Sequence, residues 1–183
     1  MTTNKLACQR GAKGFSLLEL LLVVAVGAVL ILAGLGAYRL VSENNNANQA
    51  ARQLTTLKQQ IQQTFQGQTG YPATANLVPT MVNLKATPPD MAVINAANGT
   101  LKGALGTVTV TNAAVGNTFT ITMDGLPRSA CVKLAQAFNI DNSSDTDSVT
   151  INAKAVAAGG FTQAGLAASC GNNTGNTIAW VFR

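Results

Sequence analysis

The sequence predicts an α+β protein: one long N-terminal helix, apolar in its first half and amphipathic in its second, packed on a small antiparallel sheet of about four strands. Three observations carry this. An uncharged run of 19 residues extends from Leu20 to Tyr38, long enough to span a bilayer at ~1.5 Å per residue. After it, Ala47, Ala50, Ala51, Leu54, Leu57, Ile61 and Phe65 recur at spacings of three and four, which is a helical stripe. From Thr107 onward, short stretches alternate apolar and polar residues in the period of a strand.

Taken in order, the helix is expected from Phe15 to Phe65, ~75 Å long at the usual rise, with no proline before Pro72. Gly67 and Gly70 stop it, and Tyr71 must be extended because the residue before a proline avoids the helical region. Residues 72–106 hold four of the five prolines and read as a connecting region, with a short helix near Val78–Leu84. Val108–Thr111 and Phe119–Met123 form a hairpin across the loop Asn112–Asn117, and Asp124-Gly125 turns the chain. Pro127 to Phe138 is a short helix with Pro127 near its start and Cys131, Leu134, Ala135 and Phe138 on one face. Asp141–Ser148 is a polar loop, Val149–Ile151 a strand, Phe161–Ala168 a second short helical pattern, and Asn172–Asn176 a turn. Thr177–Phe182 is a terminal strand with Ile178, Trp180 and Phe182 on one face. A single amphipathic helix cannot hide its own stripe, so the sheet must pack on residues 47–65.

Composition excludes several functions. Only 10% of residues are charged and there is no histidine, which removes the commonest acid–base catalyst and metal ligand at neutral pH. The basic residues are scattered, so the net charge of +5 does not predict a nucleic-acid partner. Asp141-Asn142-Ser143-Ser144-Asp145-Thr146-Asp147 has the acid density of a calcium loop but lacks the glycine and distant glutamate of that spacing. It reads as a solvated loop. No catalytic residue, cofactor or metal site is expected. Gly27, Gly34 and Gly36 lie within the apolar run and are open to three readings: a close-packing face, a weak point in the helix, or lipid-facing filler.

The N-terminus carries the distinctive motif. Lys5, Arg10 and Lys13 precede Gly14-Phe15-Ser16-Leu17-Leu18-Glu19, with no acid among the first 18 residues, so the N-terminus is expected on the cytoplasmic side. A secretory signal peptide needs small residues after its apolar stretch; Gly34-Leu35-Gly36-Ala37 supplies them loosely, but the run is long and begins at a carboxylate. A lipoprotein signal at Leu6-Ala7-Cys8 lacks a preceding apolar region. A plain anchor explains neither Glu19 nor the Lys13-Gly14-Phe15 junction. The hexad and the run behind it resemble the N-terminus of type IV prepilins, and Gly70-Tyr71-Pro72 is similar to the pilin and pseudopilin families at the same point.

What this resemblance implies is concrete. Residues 1–14 are a leader removed by a prepilin peptidase between Gly14 and Phe15, and Phe15 is then N-methylated. Residues 15–38 are the transmembrane and later filament-core helix, 39–66 its amphipathic continuation, and 67–183 a globular α+β domain. Glu19 serves subunit assembly. The partners are other copies in a helical filament, the peptidase/methyltransferase, the pilus assembly machinery and, before assembly, the inner membrane; the destination is an extracellular pilus. Loss of the leader lowers the side-chain balance from +5 to roughly +2 and removes Cys8. An even pair, Cys131 and Cys170, remains in the exported part, where disulfides persist. Closing a loop of about 40 residues stabilises by about 4 kcal/mol in the chain-entropy view. The bounded segment 131–170 resembles the disulfide-bounded variable region of the type IVb subclass, as does the length of the leader, whereas Phe15 is more typical of the other subclass. The implied function is a structural subunit of a type IV pilus, a major pilin of the IVb kind. The alternatives are a minor pilin, a secretion-system pseudopilin or, in a different class, an uncleaved membrane-anchored binding or sensor domain.

A peptidase at the membrane face must bring backbone close to its own site, and a side chain at position 14 obstructs that approach. A bulky substitution of Gly14 is therefore expected to leave a full-length precursor on a gel, and maturation at the wild-type level would remove Gly14 from this role.

Overall fold

The computed structural model describes residues 16–72, 76–95, 99–112, 117–141 and 143–183. The expected leader and the expected processing residues Gly14 and Phe15 lie outside the described residues, as do 113–116 and Asn142 of the two expected loops. The chain divides into two compact units, Met1–Leu40 and Val41–Arg183. One helix, α1 (Leu17–Thr64), begins in the first and continues in the second. Its start is closed by Ser16, whose carbonyl oxygen accepts from the amides of Glu19 at 3.0 Å and Leu20 at 3.1 Å. Its end comes at Gly67, which takes a positive φ of 84°, a conformation glycine adopts at little cost.

In the second unit the stripe from the sequence faces inward. Ala47, Ala50, Leu54, Leu57, Ile61 and Phe65 are all buried, and from Ala50 onward they join one core with the inner face of the sheet. The short helix α2 (Val78–Asn83) seals one side with Val78 and Met81. The remaining elements are β1 (Ala92–Asn95), β2 (Thr100–Gly103), β3 (Gly106–Asn112), β4 (Phe119–Leu126), α3 (Arg128–Ala137), β5 (Thr146–Ile151), β6 (Lys154–Ala155), α4 (Gln163–Ser169) and β7 (Asn176–Phe182). The sheet runs β1-β2-β3-β4-β7-β5-β6 with every pairing antiparallel. β7 alternates throughout and β4 from Phe119 to Asp124, so Phe119, Ile121 and Met123 meet Ile178, Trp180 and Phe182 on the buried face.

The sheet has seven strands where about four were expected. The three additional ones lack the alternation by which strands are read. β1 is exposed at all four positions, β6 at both, and β2 buries Leu101 alone. They are edge or near-edge strands held by ladder hydrogen bonds, and backbone pairing leaves no mark on side-chain pattern. Two boundaries also move. The polar stretch expected from Asp141 to Ser148 already becomes strand at Thr146. Asp124-Gly125 is not a turn: β4 continues to Leu126, and the register against β7 slips between Met123 and Leu126, with Gly125 at φ 81° as expected of a bulge. Opposite it, Gly106 has φ 142°, and a Cβ there would lie 2.0 Å from the Asp124 carbonyl oxygen; only glycine fits.

A run of aromatic contacts crosses the core. Phe65 meets Tyr71 at 5.7 Å, Tyr71 meets Phe119 at 4.9 Å, and Phe119 meets Phe182 at 5.7 Å. Phe138, from the end of α3, then packs edge-on against Phe182 and Trp180. At the far end of the sheet a polar cluster holds the turns together. Asn176 is fully buried; its amide nitrogen donates to the carbonyl oxygens of Leu126 (3.1 Å) and Asn172 (2.7 Å), and its amide oxygen accepts from the Asn172 backbone (3.2 Å) and the Asn152 side chain (2.9 Å). Asn152 also donates to Ser169 O (2.9 Å) and accepts from the Thr177 amide (3.0 Å). All four bonding positions of the Asn176 amide are thus used.

Asn176→Ala would leave the buried Leu126 carbonyl, and the two Asn172 backbone groups at the edge of the cluster, without that partner, costing about 1–3 kcal/mol. Urea unfolding of the disulfide-intact protein is expected to show the lowered midpoint, and an unchanged midpoint would mean that water replaces the side chain.

Candidate functional site

Two regions answer to the residues singled out in the sequence, one in each unit. In the first, α1 carries an apolar surface with no partner among the described residues. Its large side chains between Leu17 and Leu35 are 52% to 78% exposed. The most apolar 18-residue window has a mean hydropathy of 2.8 with none of it buried. Such a surface is not stable in water and needs lipid or other apolar helices around it. Glu19 stands in the first turn, exposed and close to the positive end of the helix dipole, which favours a carboxylate there. Helical structure continues through Gly27, Gly34 and Gly36, and a Cβ at any of them would meet nothing within 4 Å. Gly27 and Gly34 lie on one face of the helix, and Gly36 lies on nearly the opposite one.

In the second unit, Cys131 on α3 and Cys170 at the C-terminal cap of α4 form a disulfide with Cα atoms 6.0 Å apart. Both are fully buried. The bridge ties together the two helices that flank β5 and β6, and hence bounds the excursion between them. Beside it a cleft of about 540 Å³ is lined by Glu43 of α1, Arg128, Ser129 and Lys133 of α3, and Gln163 and Asn173. Its charged groups and Ser129 are spent on structure: Ser129 Oγ donates to Glu43 at 3.0 Å, Lys133 donates to Asn44, and Arg128 donates to the Ala167 carbonyl at 2.9 Å. These bonds fasten α3 to the start of the second half of α1. Among the described residues no three acidic or cysteine side chains gather as a metal site would require.

The acids read as a solvated loop are partly engaged. Asp145 pairs with Lys58 of α1 at 3.1 Å, and Asp147 pairs with Arg183. Lys58 also lies 5.0 Å above the Phe182 ring, and Gln62 of α1 donates to the Arg183 carbonyl at 2.7 Å. The loop, the last strand and α1 are therefore one clamp. The Lys58 ammonium holds the Asp145 carboxyl below the usual carboxylate range. Nearby, burial pushes the Tyr71 hydroxyl up. Sequence reasoning missed Lys58, Gln53 and Asn176. Gln53 is buried and spans from the Asp90 carbonyl (3.0 Å) to the Ala104 amide (2.8 Å). A weak signal existed, since Gln53 and Lys58 each neighbour a stripe position, Leu54 and Leu57.

Known proteins share this arrangement. A family profile described as PilS N terminal matches residues 44–183, and the prokaryotic N-terminal methylation motif matches residues 9–35. Among solved structures, TcpA, a type IV pilin from Vibrio cholerae El Tor biotype, aligns with a TM-score of 0.50 at 18% identity, over 76% of this chain and 99% of that one. The type IVb pilin PilS from Salmonella typhi aligns with a TM-score of 0.46 at 24% identity, over 73% of this chain and 95% of that one. No curated protein matches. At these identities the TcpA likeness is one of fold.

The clamp has a pH signature. With its folded pKa below the ordinary 3.8, Asp145 adds stability above the unfolded value, and this is lost as pH falls through the folded pKa. A carbon-detected NMR titration should place the Asp145 carboxyl below the ordinary carboxylate range, and Lys58→Ala should return it to that range. An unshifted Asp145 in the wild-type protein would mean that the pair does not persist in solution.

Proposed function

Because the chain belongs to the PilS family of type IV pilins, we propose that it is the structural subunit of a type IV pilus of the IVb kind, and the major one. It is made as a precursor held in the inner membrane by residues 15–38, cut after Gly14, methylated on Phe15 and drawn into a helical filament on the cell surface. Residues 1–14 are the leader, 39–66 continue the helix, and 67–183 form the globular domain displayed outside. The observation that carries this reading is the wholly exposed apolar face of α1 with one carboxylate, Glu19, in its first turn. A membrane covers that face in the precursor, and the same faces of other copies cover it in the filament, so one surface serves both states.

Glu19 is the register device. A carboxylate taken deep into an apolar phase costs ~2.5 kcal/mol or more, and cleavage after Gly14 creates one new cation, the α-amino group of Phe15, which methylation leaves basic. Phe15 and Glu19 are four residues apart, so the acid meets either its own amine or, once helices bundle, that of an incoming subunit. Unpaired charge between apolar helices is penalised, and the vertical stagger is selected by that penalty. The disulfide closes the displayed excursion against unfolding outside the cell.

Glu19→Ala is expected to leave membrane insertion and cleavage intact while abolishing or greatly reducing fibres. N-terminal sequencing of protein sheared from cells should begin at Phe15. A fibre fraction without the protein, or one whose protein begins at Met1, would favour an uncleaved membrane-anchored domain instead.

A further inference from the structure

The cleft beside the disulfide lies where the second half of α1 begins, and its lining is of two kinds. Pro127, Val132 and Ala167 are apolar, whereas Arg128, Lys133 and Glu43 are charged. Arg128 and Lys133 are both exposed, and each spends one bond on the fold, to the Ala167 carbonyl and to Asn44. A guanidinium has five N–H donors and an ammonium three, so both keep donors for a group outside the chain. Glu43 is the single acid lining the cleft among the described residues, and it already accepts from Ser129. Gln136 and Gln163 stand exposed on the rim.

At about 540 Å³ the cleft suits a small organic group better than a lone ion. Two cations against one engaged acid favour an anion, and a guanidinium beside an ammonium matches the oxygens of a phosphate. The apolar part of the lining suits a carbon skeleton attached to that phosphate. Its place along the chain narrows the choice further. Glu43 follows Tyr38, the last residue of the uncharged run, by five residues of the same helix, which is ~7.5 Å at the usual rise. The headgroup layer outside the hydrocarbon of a bilayer is ~5–8 Å thick. Ser129 and Lys133 tie α3 to Glu43 and Asn44, so the cations of α3 are held to the stretch of helix that follows the apolar run by one headgroup layer.

We propose that this cleft takes the phosphate headgroup of an anionic phospholipid from the membrane that holds the precursor. Arg128 and Lys133 bind the phosphate oxygens, and Pro127, Val132 and Ala167 receive the glycerol end. This rests on the membrane-held precursor of the reading above and deepens it, because it gives the globular domain a contact of its own with the bilayer before assembly. The occupant is a lipid because the anion, its apolar skeleton and the distance from the run coincide in a headgroup, and a free phosphate would leave the apolar lining unused.

The test uses the full chain in non-ionic detergent micelles doped with phosphatidylglycerol or with phosphatidylcholine, and native mass spectrometry counts the lipid retained. Lys5, Arg10 and Lys13 also attract anionic lipid, so the reading is a difference between variants. Gln136→Glu with Gln163→Glu puts acid on the rim without touching the bonds of Arg128 and Lys133. It should lower phosphatidylglycerol retention by about threefold, the factor that two exposed charge contacts supply, and leave phosphatidylcholine unchanged. Gln136→Lys should raise it. Gln66→Glu with Gln68→Glu, the same charge change just past the far end of α1, should alter neither lipid. Free-thiol labelling should find only Cys8 in each variant; if the paired rim variant also exposes Cys131 and Cys170, Gln136→Glu alone makes the comparison. Wild-type retention in the rim variant, which would leave Arg128 and Lys133 to a protein partner, overturns the headgroup site. An equal loss in the Gln66 and Gln68 variant overturns it too, as does displacement of phosphatidylglycerol by inorganic phosphate, the mark of a free-anion site. All three results leave the pilus reading intact. Recovery of the unaltered chain in the soluble fraction of cells instead of the membrane fraction overturns both.

Discussion

The second half of α1 has one face to bury and one sheet to bury it on, and the rest of the domain follows from that constraint. Leu54, Leu57 and Ile61 are lost from water almost completely, each worth on the order of 1.5–3 kcal/mol. A helix alone cannot realise that gain, nor can a bare sheet, so each exists in its observed form because the other does. The flanking residues then specify how they meet. Gln53 fixes α1 to the β2–β3 turn, Lys58 and Gln62 fix it to the β5 approach and the last residue, and Ser129 and Lys133 fix α3 to the start of this helical segment. These are directional contacts on the rim of an apolar interface, and they turn a non-directional attraction into one geometry.

The C-terminal half solves a different problem. Between α3 and β7 the chain makes a long excursion through short elements that bury few large side chains. Two devices compensate. The Cys131–Cys170 bridge shortens the loop that the unfolded chain would otherwise explore. The buried Asn176 amide satisfies backbone groups at the end of β4 and in the loop after α4, and Asn152, bonded to it, satisfies the last carbonyl of α4. Together they let the surface between the two cysteines consist of polar residues and small loops without loss of the fold beneath it.

Function in this family is a matter of surfaces rather than of a reaction centre. One helix carries two of them in sequence: an apolar face without partners among the described residues and, beyond it, an inward stripe committed to the domain. The globular unit makes no demand on the first of these, because all of its own core is supplied by residues from Ala47 onward. The apolar segment is therefore free to be covered by lipid or by other apolar helices without loss to the core of the domain.

Periodicity determined much of this molecule. The helix, its inward stripe, strands β3, β4 and β7 and the helix bearing Cys131 were legible because each writes a repeat of about 3.6 or 2 residues into the identities of its side chains. The N-terminal motif was legible for a related reason: membrane location and processing act on local sequence. Tertiary structure alone decided the rest. β1, β2 and β6 are held by backbone hydrogen bonds to neighbours, Asp124-Gly125 became a bulge instead of a turn because β7 pairs alongside it, and Lys58 found Asp145 87 residues away. None of these depends on a residue's sequence neighbours. Each is set by which strands the common core brings side by side, and that order exists only once the whole sheet has closed on α1.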